Sequence, residues 1–241
     1  MQFAPVLHAE WLKIRTLRSL LGALAVLFVT TTAFSALAGA SSTSEPGFDP
    51  LFTTQFGVFL GQIAAISFGA MAVSAEFRNG ALRLSLAAVP QRGHWFAAKM
   101  TAIALPALAV GLLTALASLF STRATLGPAA DGLTTGEQAR AVVGCGIYLM
   151  LMALFAAGLA TLLRSGVTTL SLLIPFILIV SFVIGDAAGT AVEFMPDRAG
   201  QVILQQTYDG PLGPWSGLGV TALWAAAALL AGVWRLRRRD A

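Results

Sequence analysis

Hydrophobic and polar positions in this chain are sorted into long blocks. Six stretches contain no Asp, Glu, Lys, Arg or His: Ser19–Ala40, Leu51–Ala75, Met100–Thr122, Ala141–Leu163, Ser165–Gly185 and Pro214–Trp234. Each is long enough to cross a hydrocarbon core of about 30 Å, which takes roughly 20 apolar residues in a helix. Strands of a membrane barrel would be about 10 residues long and would alternate polar with apolar positions, and these blocks do not alternate. The pattern predicts an all-α polytopic membrane protein of six transmembrane helices, forming one membrane domain over residues 1–241.

Between the blocks, two segments read as amphipathic helices. Phe3, Val6, Leu7, Trp11, Ile14 and Leu17 recur near helical spacing, with Glu10, Lys13, Arg15 and Arg18 alongside. That is the pattern of an N-terminal interfacial helix with an aromatic anchor. Ser35–Ala40 also has the small residues of a signal-peptidase site, so a cleaved leader is the competing reading of this region. The connection Glu76–Lys99 is longer than a turn between spans requires. A short helix fits there, starting near Gly80 and stopped by Pro90, with arginines toward the water and leucines toward the spans. The competing reading is a loop that binds anionic lipid.

The other connections are turn-rich. Ser41–Pro50 is short and acidic, and Thr134-Thr135-Gly136-Glu137 has the form of a capping box opening the fourth span. Glu137 and Arg140 stand one turn apart and can pair. Pro196–Gly200 followed by Val202, Ile203 and Leu204 suggests a short helix lying on or dipping into the outer leaflet, with Tyr208 and Trp215 as interfacial aromatics.

Composition agrees with the blocks: only 11% of the 241 residues are charged, against about 25% in soluble domains, so most of the surface is fitted to lipid. Charge then orients the chain. Twelve Lys and Arg fall on the side of the amino terminus, the second and fourth connections and the tail, against Glu10, Glu76 and Asp240, for a net +9. The opposite side carries Arg123, Arg140 and Arg198 against eight carboxylates, a net −5. The positive side is expected in the cytoplasm, with both termini. The basic balance is thus an orientation signal, and no nucleic-acid partner is expected.

Much chemistry is missing from the sequence. There is no GxxxxGK[ST] loop for nucleotide phosphates, no GxSxG or Ser/His/Asp arrangement, and one cysteine, Cys145, in an apolar block. His8 and His94 have no further ligand at metal spacing. Ionisable residues, which serve ion-coupled carriers as relays, are absent from the spans. The chain is expected to be no enzyme, to hold no metal or cofactor, and to draw any transport energy from a separate subunit.

The segment Glu10-Trp11-Leu12-Lys13-Ile14-Arg15-Thr16-Leu17-Arg18 resembles the amino-terminal helix of type-2 ATP-binding-cassette permeases, particularly actinobacterial exporters. Glu76-Phe77-Arg78-Asn79-Gly80-Ala81-Leu82-Arg83, with Pro90, Arg92 and Lys99 downstream, is similar to that family's segment after span two; Ala81 stands where Thr is commoner. Pro196–Gly200 is similar to its outer segment before span six. The resemblance implies a permease subunit in the bacterial inner membrane. It would pair with a second copy or a paralogue and be driven by two cytoplasmic ATPase subunits that bind the ATP. Glu76, Phe77, Arg78, Gly80, Arg83 and Arg92 would form the coupling segment, helped by Glu10, Trp11, Lys13, Arg15 and Arg18. Cargo would be a drug, antibiotic, peptide or lipid-like molecule.

The family's route runs along spans two and five. Gln55, Phe59, Gln62 and Ile66 share one helical face, and two amides are costly against lipid, so that face should look into protein or the route. Thr169, Pro175, Phe176 and Phe182 are the candidates in span five, with ordinary helix packing as the competing reading of the aromatics. Gly57 and Gly61 form a GxxxG pair that can serve dimerisation. A non-transporting membrane scaffold and an ion-coupled carrier are the alternative functions.

Overall fold

Charge-free sequence becomes helix along most of the chain. The computed structural model describes residues 3–41, 48–78, 80–89, 91–180, 189–208 and 210–238, and among them every regular element is helical. In order the α-helices are α1 (Phe3–Thr16), α2 (Arg18–Ser41), α3 (Pro50–Thr54), α4 (Val58–Ser74), α5 (Ala81–Ala88), α6 (Arg92–Leu126), α7 (Thr135–Leu163), α8 (Gly166–Pro175), α9 (Pro196–Gln201) and α10 (Pro214–Arg238). Among the described residues, five helical segments are long and apolar enough to cross a membrane: α2, α4 with its 3-10 extension to Phe77, α6, α7 and α10. The chain is therefore all-α, with the character of a polytopic membrane protein.

The predicted fifth span takes a different form. α8 ends at Pro175 and continues as a π-helical turn over Phe176–Val180; residues 181–185, with Phe182, lie outside the described residues. Pro175 has no N–H to give the carbonyl four residues back, and the wider turn begins just beyond this lost bond.

Span two is also interrupted. Asp49 caps α3 by accepting from Phe52 N at 2.9 Å, and Pro50 opens it, but the helix lasts five residues before a turn over Gln55–Gly57. Gly57 N donates there to Ser35 Oγ at 2.9 Å. A Cβ on Gly57 would overlap the Thr31 carbonyl, and one on Gly61 the Thr31 hydroxyl. The GxxxG pair is thus used inside the chain, letting α4 approach α2, in place of the dimer contact considered above.

α7 is the most enclosed span and packs against α4, α6, α8 and α10, while α2 lies across α4 and α6. Val29 and Leu37 of α2, Phe120 of α6 and Leu230 of α10 point outward, as on helices that face lipid. The connections gather at two ends. At the basic end α1, α5, the start of α6 and the tail of α10 meet, with Arg92 Nη1 donating to Leu236 O at 2.7 Å and Arg164 over the Phe77 ring. At the acidic end Gln206 N donates to Asp49 Oδ2 at 2.7 Å, Arg140 Nη2 to Gln205 O at 2.6 Å and Arg123 Nη1 to Gln138 Oε1 at 2.9 Å. The capping box at Thr134 and Glu137 is present, and Arg140 is bound to the 205 carbonyl.

Candidate functional site

The basic end is organised around four charged side chains drawn from three places in the sequence. α1 carries Glu10 and Lys13 one turn apart, the 3-10 turn Ala75–Phe77 that ends α4 presents Glu76, and the first turns of α6 carry Trp95 and Lys99 four residues apart. Lys99 Nζ donates to Glu10 Oε2 and to Glu76 Oε1, both at 2.8 Å. Lys13 Nζ donates to Glu10 Oε1 at 2.8 Å and Glu76 Oε1 at 2.9 Å. Two ammoniums and two carboxylates thus alternate around a closed ring of zero net charge. α5 joins it through Ser85, whose hydroxyl accepts from Lys13 at 3.2 Å and donates to Glu76 Oε2 at 3.2 Å. Trp95 Nε1 adds a bond to Glu10 Oε1 at 3.3 Å.

Burial makes this ring consequential. The side chains of Glu10, Glu76 and Lys99 are 3–4% exposed, and only Lys13 reaches water, at 38%. An isolated charge at such depth would be prohibitively costly, whereas the paired set is sustained by mutual attraction. Burial by itself would lower the Lys13 ammonium, but its hydrogen bonds to Glu10 and Glu76 outweigh that and hold its pKa above the ordinary lysine value. A lysine suits both cationic positions, because a compact ammonium offers three donors in tetrahedral array where arginine offers a planar fork. Lys13 spends all three, on Glu10, Glu76 and Ser85.

α5 stands on this ring with space to both sides. A cleft of about 560 Å³ separates it from α1, walled by Val6, Ala9, Leu84, Val89 and Trp95. Another of about 370 Å³ lies between Phe77, Leu82, Arg83 and Arg164. The helix starts where the sequence places it: Gly80 takes the left-handed conformation (φ 73°) just before Ala81. The expected stop, Pro90, lies outside the described residues, as does Asn79. Leu82 is buried and Arg83 exposed as expected, but Leu84 points outward, 75% exposed.

The structure brings most of the predicted coupling residues to one place. Glu76 is in the ring, Phe77 lies under Arg164, Arg78 and Arg83 are exposed, and Arg92 ties α6 to α10. On α1, Glu10 and Lys13 are in the ring, Trp11 is half-buried, and Arg15 and Arg18 are exposed. The partners of Glu76 are the two lysines. Ser85 and Trp95 were missed, and Lys99 was named only as lying downstream in the coupling-like segment. One signal was there: the chain has only two lysines, and both stand in the ring.

The predicted route residues do not converge on each other. Gln55 Nε2 donates to Ala115 O at 3.1 Å from the interrupting turn, so it is off the helical face that carries Gln62. Gln62 is engaged by Tyr148 and Gln201. Phe59 packs edge-on with Phe52 and Phe56. Thr169 Oγ1 donates to Ser165 O at 2.7 Å, and Phe176, half-buried, begins the π turn. Compared with known proteins, the chain is matched by no family model and by no curated protein.

Proposed function

We propose that this chain is the membrane-spanning permease of an ATP-driven type-2 exporter, with α5 as the helix that seats in a separate cytoplasmic ATPase. The charge ring is the observation that carries the reading. Through Ser85, Glu76, Lys99 and the Glu10–Lys13 pair, α5 is tied to the end of α4, the start of α6 and α1. A displacement of α5 therefore reaches two spans and the amino-terminal helix through buried ion pairs. A loop that only satisfied the charge rule would need no such connection to the span ends.

In this reading the chain has six spans, the fifth comprising α8, the π turn and the residues after it. The basic end and both termini face the cytoplasm of a bacterial inner membrane. Two permease copies, or this chain and a paralogue, pair over two ATPase subunits, and ATP binds only to the latter. Arg78 and Arg83 meet carboxylates of the ATPase, where complementary charge fixes partner and orientation. The cargo is a drug, antibiotic, peptide or lipid-like molecule, moved outward.

Co-expression with a separate cytoplasmic ATPase subunit of the cassette type tests the reading. Detergent-extracted chain is expected to carry the ATPase in stoichiometric amount, and membranes holding the chain alone to hydrolyse no ATP above background. Absence of bound ATPase would leave the scaffold reading in its place, and hydrolysis by the purified chain alone would overturn the division of labour.

A further inference from the structure

The outer segment before α10 is not at the surface. α9 and the 3-10 turn Val202–Leu204 enter the bundle from the acidic end and pack between α7 and α10, with Pro196, Gly200, Gln201, Ile203 and Leu204 all buried. Arg140 marks the rim by holding Gln205 O. Tyr148 lies eight residues further along α7, about 12 Å deeper at 1.5 Å per residue. Gly200 lies against the Tyr148 ring so closely that any Cβ there would overlap it.

At this depth three polar side chains from three elements meet. The Tyr148 hydroxyl donates to Gln62 Oε1 of α4, and Gln201 Nε2 of α9 reaches the Tyr148 hydroxyl at 3.3 Å and Gln62 Oε1 at 3.4 Å. Their exposures are 2% for Gln62, 0% for Tyr148 and 4% for Gln201. Thr221 Oγ1 of α10 closes on Pro196 O at 2.7 Å. We infer that Gln62, Tyr148 and Gln201 are the latch of a gate at the acidic end, with residues 196–204 as its movable plug.

Three observations carry this. A six-residue helix and a three-residue 3-10 turn are too short to be stable on their own, so the plug holds its place through its contacts. The plug's polar tie is Gln201, and when the plug withdraws Gln201 exchanges its two partners for water while Tyr148 and Gln62 keep each other, so no polar group is stranded. Finally, the plug covers Gln62, an amide whose face sequence reading turns toward protein or the route. The purpose of the gate rests on the transport reading; the motion does not.

Thiol labelling in lipid nanodiscs tests the latch in the full chain, with Cys145→Ala as background. Ile203→Cys is the reporter, because Ile203 is fully buried against Gly144, and it should react slowly with soluble maleimide. Tyr148→Phe keeps the ring and removes the hydroxyl. It should raise that rate about tenfold, the equivalent of about 1.4 kcal/mol, while a second reporter, Ala72→Cys near the basic end of α4, stays as slow as before. An unchanged Ile203→Cys rate would overturn the latch, and so would an equal rise at both reporters, which is general loosening. Should Tyr148→Phe fail to fold, Gln201→Leu removes the plug's own bonds to Tyr148 and Gln62 and carries the same expectation. The readout needs neither ATP nor a partner, so its failure and that of the exporter reading are separate results.

Discussion

Replacing Lys99 by Met tests the ring at its most buried cation. Lys99 Nζ makes two charged hydrogen bonds of 2.8 Å with a side chain only 3% exposed. Its loss leaves the buried Glu10 and Glu76 carboxylates sharing one cation, Lys13, which alone of the four reaches water. Removing one partner of a buried ion pair costs about 3–5 kcal/mol, because the surviving charge is uncompensated. For a chain of this size each kcal/mol moves the melting midpoint by about 2–4 °C, so a fall of roughly 10 °C is expected for the detergent-solubilised protein. Adding Glu10→Gln removes the surplus negative charge. The double variant should therefore be about 1–3 kcal/mol more stable than the sum of the two single losses. Lys99→Arg keeps the charge but offers a planar fork to carboxylates arranged around a tetrahedral ammonium, and should fall between wild type and Lys99→Met. A shift of less than about 2 °C for Lys99→Met, or strict additivity in the double variant, would refute the ring as a coupled unit.

Reversing Arg78 and Arg83 to Glu should leave expression intact and lower ATPase retention at least about tenfold in pull-down; equal retention at matched expression would remove the coupling role. Glu76→Gln should still retain the ATPase but lower transport per ATP hydrolysed, measured in proteoliposomes. Gly57→Ala should cost about 1–3 kcal/mol by forcing α4 off the Thr31 carbonyl, whereas Gly22→Ala, which faces open space, should be neutral or stabilising by about 0.5–1 kcal/mol; melting curves of the two separate the cases. In a Cys145→Ala background, Asp131→Cys should react with impermeant maleimide on intact cells and Gln91→Cys only after the membrane is opened; the reverse pattern would invert the topology.

Five of the six spans were legible because a charge-free block of helix length admits few other outcomes, and α1 and α5 because apolar spacing and Gly80 act locally; in the remaining block Pro175 ends α8. The Thr134–Glu137 box marked a helix start for the same reason, whereas the cap that Asp49 gives α3 was not read from the sequence. The ring was not legible, since Glu10 and Glu76 are 66 residues apart and no local pattern reports that they share a cation. Burial of Gln55 and Gln62 followed from the cost of an amide in lipid, but their common face did not survive the turn at Gln55–Gly57, which Ser35 and Thr31 of α2 impose from outside the segment. The plug was read as an element on or dipping into the leaflet because apolar residues suit lipid and protein interior equally. Only the glycines at 144, 200 and 217, each in close contact with another element, separate the two, and contact is not written in sequence.

α6 has 35 residues, about 52 Å, of which the charge-free stretch Met100–Thr122 takes about 34 Å against a hydrocarbon core of about 30 Å. It is held at both extremities, by Arg92 and the ring at one and by Arg123 on Gln138 at the other. A long helix in a thinning bilayer accommodates by tilting, at a cost of fractions of a kcal/mol per Å of mismatch. α6 cannot tilt alone, because its ends are bonded to α1, α4, α7 and α10. A change in bilayer thickness is therefore expected to load the ring itself, the joint on which α5 stands.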